Sequence, residues 1–294
     1  MADGDYERGR GRELGAIAAE LKRLAAAREG RNLLRPTREG RAAARPPVFV
    51  LNGWAASPQA WDLCSFMRSQ QVATLPTGTT GGSPVEKSAA LPRLFSYVEQ
   101  LDGEPEKAIE NVERCILVGW SMGGSSALRL AARWPEKIAG LVLVAATPRM
   151  MEEKESGWKG MSPRRLEALR YGLVMTKGMG VFGVPEGKPN PYLADEPANL
   201  ERGLKYLLET DVRADLERVF LGGARGSLPV HIFQSERDGI VRAANADYLR
   251  EIFPQAAVHL VPGTEHALPI FIPELIDEAV DTCLRLAAAG QDPA

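Results

Sequence analysis

Residues Cys115-Ile116-Leu117-Val118-Gly119-Trp120-Ser121-Met122-Gly123-Gly124 decide the fold. The first four form a continuous apolar run closed by glycine, the pattern of a strand buried on both faces. The residues after the serine are rich in Ala and Leu and predict a helix over Met122 to Arg133, ending before Trp134-Pro135. Between strand and helix stands G-x-S-x-G. Side chains at the flanking positions would collide with neighbouring backbone, so glycines are required there. The tight turn lifts the Ser121 hydroxyl above the end of the sheet, at a helix N-terminus where amide dipoles favour developing negative charge.

Four more runs of the same kind flank this one: Val48 to Leu51, Leu141 to Val144, Val230 to Phe233 and Val258 to Val261. Helical patterns separate them, over Glu86 to Leu101, Ala243 to Ile252 and Leu275 to Ala289. Alternating strands and helices predict a doubly wound α/β domain over residues 46–294, with a mostly parallel central sheet covered by helices. Residues 149–213 break the alternation. They hold helical pieces near 162–176 and 197–209 and no strand pattern, which predicts an inserted helical cap. Residues 1–45 have a different texture, rich in Ala, Arg, Glu and Gly. Leu14, Ile17, Ala18, Leu21, Leu24 and Ala25 recur at helical spacing, so a basic N-terminal extension with one amphipathic helix over residues 13–28 is expected.

The chain has 294 residues, 45% hydrophobic and 25% charged, with 36 Lys+Arg against 38 Asp+Glu. Its net charge of −2 divides into +4 for residues 1–45 and −6 for the rest. This composition excludes collagen, coiled coil and disordered acidic chains. No apolar stretch is long enough for a membrane span, and the first thirty residues lack a secretory signal. With acids interleaved and no aromatic run, the extension does not read as a nucleic-acid or membrane arm. Three widely spaced cysteines, Cys64, Cys115 and Cys283, argue against a disulfide framework, so the cytoplasm is the expected compartment. Three histidines without ligand spacing argue against zinc.

A serine hydroxyl needs an adjacent base, itself oriented by a carboxylate. Of the histidines, His231 and His259 fall inside strand runs. His266 lies in Pro262-Gly263-Thr264-Glu265-His266-Ala267, directly after the Val258 run, and is the expected base. Asp238 lies in Ser235-Glu236-Arg237-Asp238-Gly239, directly after the Val230 run, and is the expected acid; Glu236, Glu265 and Asp211 are its alternatives. Both loops sit where strand C-termini deliver side chains into the crevice. The oxyanion donors are expected from the backbone N–H of Met122 and of Trp54, in the loop Asn52-Gly53-Trp54-Ala55. The Trp54 indole is equally a candidate wall of the acyl pocket, and Trp120 is expected to pack beside the site.

Residues 46–294 resemble the α/β-hydrolase superfamily and, within it, the pimeloyl-acyl carrier protein methyl ester esterases of biotin synthesis. The likeness rests on Asn52-Gly53-Trp54 with Trp61, the Gly119 to Gly124 elbow, Thr210-Asp211-Val212-Arg213 within Leu208 to Leu216, Asp238-Gly239-Ile240-Val241, and Glu265-His266-Ala267-Leu268-Pro269. Asn52 stands where a histidine is usual, and Ala55 where glycine is common. The resemblance implies an α/β-hydrolase fold, a serine carboxylesterase acting on a carrier-bound methyl ester through Ser121, His266 and Asp238, no metal and no organic cofactor. It also implies an acidic acyl carrier protein docking on the cap. Residues 154–177 carry Lys154, Lys159, Arg164, Arg165, Arg170 and Lys177 against Glu155 and Glu167, so Lys159, Arg164, Arg165 and Arg170 are candidate substrate- and partner-binding residues. A monomer is the favoured state. The alternatives are a general small-molecule esterase, lactonase or thioesterase of the same fold, and a non-catalytic ligand-binding module.

Overall fold

The apolar runs fold as strands of one sheet. The computed structural model describes residues 45–68, 92–176, 196–221 and 228–289. The chain divides into two units, Met1–Ala42 and Ala43–Ala294, and every described residue belongs to the second. The helix expected over residues 13–28 lies outside the described residues, as does Lys177 of the cap. Among the described residues are six strands: β1 (Val48–Leu51), β2 (Arg93–Phe95), β3 (Cys115–Trp120), β4 (Ile138–Val144), β5 (Val230–Ser235) and β6 (Ala257–Val261). Their order is β2-β1-β3-β4-β5-β6, and each neighbouring pair is parallel.

Every residue of β1, β3 and β4 is buried. The pleat sends alternate side chains to opposite faces. Val48, Val50, Ile116, Val118, Val142 and Val144 pack into one hydrophobic core, and Phe49, Leu51, Cys115, Leu117, Leu141 and Leu143 into the other. Helices cover both faces, so no strand position can be polar without losing its hydration, and the runs read as continuous rather than alternating.

Nine α-helical segments accompany these strands among the described residues: α1 (Tyr97–Leu101), α2 (Glu104–Glu110), α3 (Met122–Arg133), α4 (Pro163–Thr176), α5 (Pro197–Glu209), α6 (Arg213–Leu216), α7 (Ala244–Ile252), α8 (Leu268–Phe271) and α9 (Pro273–Ala288). The helix expected over Glu86 to Leu101 is corrected: Arg93–Phe95 is an edge strand in register with Phe49 to Leu51, and helix begins only at Tyr97. The local signals explain the boundary. Pro92 disfavours helix in the residue before it, and Ser96 with Glu99 forms a capping box, Glu99 N–H donating to Ser96 Oγ at 3.2 Å and Ser96 N–H to Glu99 Oε2 at 2.8 Å.

The chain leaves the sheet beyond β4, runs through α4 and α5, and returns to pair Arg149 with Asp211 in an antiparallel bridge. The ends of the cap are thus held together. Arg149 Nη1 and Arg213 Nη2 reach the same Asp211 Oδ2 at 2.6 and 2.7 Å, and Arg213 also meets Glu153 at 2.9 Å. Among the described residues no helix is long and apolar enough to cross a membrane.

Candidate active site

The turn between β3 and α3 is as tight as the glycine spacing requires. Ser121 has φ 55° and ψ −119°, a conformation that an L residue holds only under strain. A β-carbon on Gly119 would stand 2.5 Å from the Gly123 carbonyl oxygen, and one on Gly123 would stand 2.0 Å from the Leu51 carbonyl oxygen. Backbone passes against backbone at both points. The strain positions the serine at the carboxyl ends of the strands, at the mouth of a helix whose first N–H groups have no helical acceptor.

Ser121 Oγ lies 2.9 Å from His266 Nε2, and His266 Nδ1 lies 2.8 Å from Asp238 Oδ2. All three residues are buried, Ser121 the least so at 8% exposure. Asp238 is fixed from its other oxygen: Oδ1 accepts the backbone N–H of Ile240 at 2.7 Å and of Val241 at 3.1 Å. Gln234 Nε2 adds a longer contact of 3.4 Å to Oδ2. A carboxylate that accepts several bonds from fixed donors is held in one orientation. The base loop is tied in turn. Trp120 Nε1 donates to the His266 carbonyl at 2.9 Å, and Ser235 Oγ to the Glu265 carbonyl at 2.5 Å.

The alternative acids go elsewhere. Glu236 is exposed, Glu265 Oε2 accepts the Thr264 N–H, and Asp211 belongs to the cap latch, where hydrogen bonds from Arg213 hold its carboxyl down at about 2. His231 and His259 stack on neighbouring strands, Nδ1 to Nε2 at 3.3 Å. The three thiols are free and buried, and burial pushes those of Cys115 and Cys283 up to about 12.

The loop after β1 lies against the serine. Gly53 faces Ser121, with 3.4 Å between the Ser121 β-carbon and the place a β-carbon would occupy on the glycine. Asn52 organises this loop with all its polar groups: Nδ2 donates to the Ala56 carbonyl at 3.0 Å, Oδ1 accepts the Trp61 indole N–H at 3.1 Å, its N–H donates to the Phe95 carbonyl at 3.0 Å and its carbonyl accepts from Gln100 at 2.9 Å. The Trp54 indole turns to the cap, donating to the Leu200 carbonyl at 3.1 Å across the gap left by Gly203. Trp120 has no exposed surface. The Trp54 indole, a candidate wall of the acyl pocket, and the Trp120 indole, expected to pack beside the site, each donate to a backbone carbonyl. The sequence reading missed Asn52 as an organiser, and also Ser235 and Gln234. Their signal is polarity in otherwise apolar strand ends.

The basic cap residues divide. Lys159, Arg164 and Arg165 are exposed. Arg170 pairs with Glu201 and with Glu167. Arg165 borders a cavity of about 470 Å³ that His266 also lines.

A family model described as "Alpha/beta hydrolase family" matches residues 48–279. In sequence, the chain is 29% identical over 256 residues to the pimeloyl-acyl carrier protein methyl ester esterase of Nitrosomonas europaea, covering 78% of this chain and 92% of that one. It is 26% identical over 266 residues to the biotin biosynthesis bifunctional protein BioHC of Cellvibrio japonicus, covering 84% of this chain and 49% of that one. In structure, an esterase from Exiguobacterium antarcticum superposes with a TM-score of 0.61 at 15% identity, over 82% of this chain and 92% of that one. That last likeness speaks for the fold.

Proposed function

The chain belongs to the alpha/beta hydrolase family, and from that premise we propose that it is a serine carboxylesterase that removes the methyl group from the pimeloyl ester carried on acyl carrier protein in biotin synthesis. The observation that carries the reading is the continuous relay from Ser121 Oγ through His266 to Asp238, at 2.9 and 2.8 Å. The relatives named for that reaction support the choice of substrate.

In this reading Ser121 Oγ attacks the ester carbonyl while His266 Nε2 takes its proton, and Asp238 holds the imidazole by its other N–H and stabilises the cation that forms. The negative charge on the tetrahedral oxygen falls to the backbone N–H groups of Met122 and Trp54. Collapse breaks the bond to the methoxy oxygen, which leaves as methanol with the proton from His266. Water, deprotonated by the same nitrogen, then releases the free carboxylate and restores Ser121. The acidic carrier protein meets the exposed Lys159 and Arg164 of the cap by charge complementarity. Arg170, already neutralised by Glu201 and Glu167, contributes less.

The test is complementation of a host that lacks its own esterase and cannot make biotin. The wild-type chain is expected to restore growth without biotin and Ser121→Ala is not. Growth with the Ser121→Ala chain would overturn the reading.

A further inference from the structure

We propose that the cap helix α5 braces the oxyanion hole, with Trp54 and Tyr206 as its positioning residues. The inference rests on the esterase reading and on its two oxyanion donors, the backbone N–H groups of Trp54 and Met122. It adds the contacts that hold those two donors in place.

Trp54 stands in a loop, without a strand or helix to fix its backbone. Among the described residues its N–H has no hydrogen-bond acceptor, as a donor kept for a developing oxyanion requires. Ala55, the next residue, is held at φ 55°, a left-handed conformation that an alanine keeps only where its surroundings impose it. The Trp54 side chain supplies that constraint. The indole is buried, and its Nε1 donates to the Leu200 carbonyl of α5 at 3.1 Å. It fills a notch made by Gly203: a β-carbon there would stand 2.4 Å from the indole Cδ1 and 2.7 Å from Nε1.

The same side of α5 reaches the element that carries the second donor. Leu200, Gly203 and Tyr206 recur at intervals of three and so lie along one side of the helix. Tyr206 Oη is 3.1 Å from Ser126 Oγ, and the Arg129 guanidinium stands over the Tyr206 ring at 5.9 Å. Ser126 and Arg129 belong to α3, whose first residue is Met122. One helix therefore touches both segments that present a donor. An oxyanion hole works because its donors are fixed before the charge appears, so a small displacement of one donor weakens binding of the transition state and leaves binding of the ester itself nearly untouched.

The experiment measures kcat and KM for neutral dimethyl pimelate alongside Ki for an alkyl trifluoromethyl ketone. Ser121 Oγ adds to the ketone carbonyl carbon while its proton passes to His266 and the carbonyl π pair moves to oxygen, so Ki reads the two donors without turnover. It is also independent of the fraction of protein folded, and a loss of stability alone leaves it unmoved. Gly203→Ala, which drives the indole from its notch, and Trp54→Phe, which removes the indole N–H, should each lower kcat roughly tenfold or more with KM little changed, and raise Ki by about the same factor. Tyr206→Phe should act in the same direction by roughly threefold. The double variant should cost no more than Trp54→Phe alone, since the smaller ring leaves room for the methyl group. Lys205→Ala, on the exposed side of α5, should change neither quantity. An unchanged Ki in Gly203→Ala and Trp54→Phe, or a fall in kcat without a rise in Ki, would overturn the brace and leave the esterase reading standing. No hydrolysis and no ketone binding by the wild type would overturn both.

Discussion

The indole N–H of Trp120 donates to the backbone carbonyl of His266 at 2.9 Å, so the residue before the proposed nucleophile holds the proposed base. The two are 146 positions apart in the chain, and this buried bond is one of the ties that set their distance. Trp120→Phe keeps most of the packing against Trp61 and removes the donor, leaving a buried carbonyl unpaired at about 1–3 kcal/mol. The expected outcome is a fall in kcat of roughly tenfold with KM little changed, and a lower melting temperature. Steady-state kinetics on a neutral ester check it. An unchanged kcat would show that the base loop is positioned without Trp120.

The elbow glycines differ in kind from the glycines of the surface turns. Gly123→Ala would drive a methyl group to 2.0 Å from the Leu51 carbonyl oxygen, a backbone clash that no rotamer relieves, so a loss of about 3 kcal/mol or more is expected. Gly103→Ala has φ 76° but nothing within 4 Å, and should cost only about 1–2 kcal/mol. Denaturant midpoints of the two variants test the contrast.

Asn52 is wholly buried. Asn52→Ala strands the Trp61 N–H and the Ala56 carbonyl together, for about 2–3 kcal/mol. The loop it organises lies against Ser121, so activity should fall further than stability alone explains at a temperature where the variant is fully folded. Circular dichroism alongside kinetics separates the two effects.

The cap latch supplies a pH prediction. Hydrogen bonds from Arg213 hold the Asp211 carboxyl below its ordinary value, at about 2. A depressed folded-state value means that the group stabilises the fold above about pH 4 and loses that contribution as pH falls towards 2. Asp211→Asn should therefore melt lower than wild type at neutral pH, and the two curves should approach each other below about pH 4 and converge as pH falls through about 2. Parallel curves across that acidic range would show that the Asp211 carboxylate adds nothing to the latch.

Much of the fold is legible in the sequence because burial on two faces leaves a plain mark. The runs at Val48, Cys115 and Leu141 are strands buried at every position, where only apolar side chains survive between two helical layers; the Val258 run, at the sheet edge, is only partly buried and is legible by its β-branched composition. Ser121, Asp238 and His266, which the structure brings within hydrogen-bond reach of one another, are visible because the proposed chemistry needs such residues at strand ends, where turn residues punctuate the sequence. The edge strand Arg93–Phe95 is not, since three residues at a sheet edge carry no periodicity and the capping box after them reads as helix. Asp211 reads as a rival acid along the chain; its spacing to Arg213 in Thr210-Asp211-Val212-Arg213 reflects a side-chain fork, and its partner Arg149 lies 62 positions away. The pairing of Arg170 with Glu201 across two helices is likewise a tertiary fact, invisible in a charge count along the chain.

Ser121, activated by His266 and Asp238, is proposed to cleave a carrier-bound methyl ester. The most direct measurement is methanol released from methyl pimeloyl-acyl carrier protein by wild type and by Ser121→Ala at equal folded concentration. The expected result is one methanol per ester with wild type and a rate lower by roughly 10⁴-fold or more with the variant. Methanol release by Ser121→Ala at a comparable rate, or none from a wild type that still hydrolyses small esters, would contradict it.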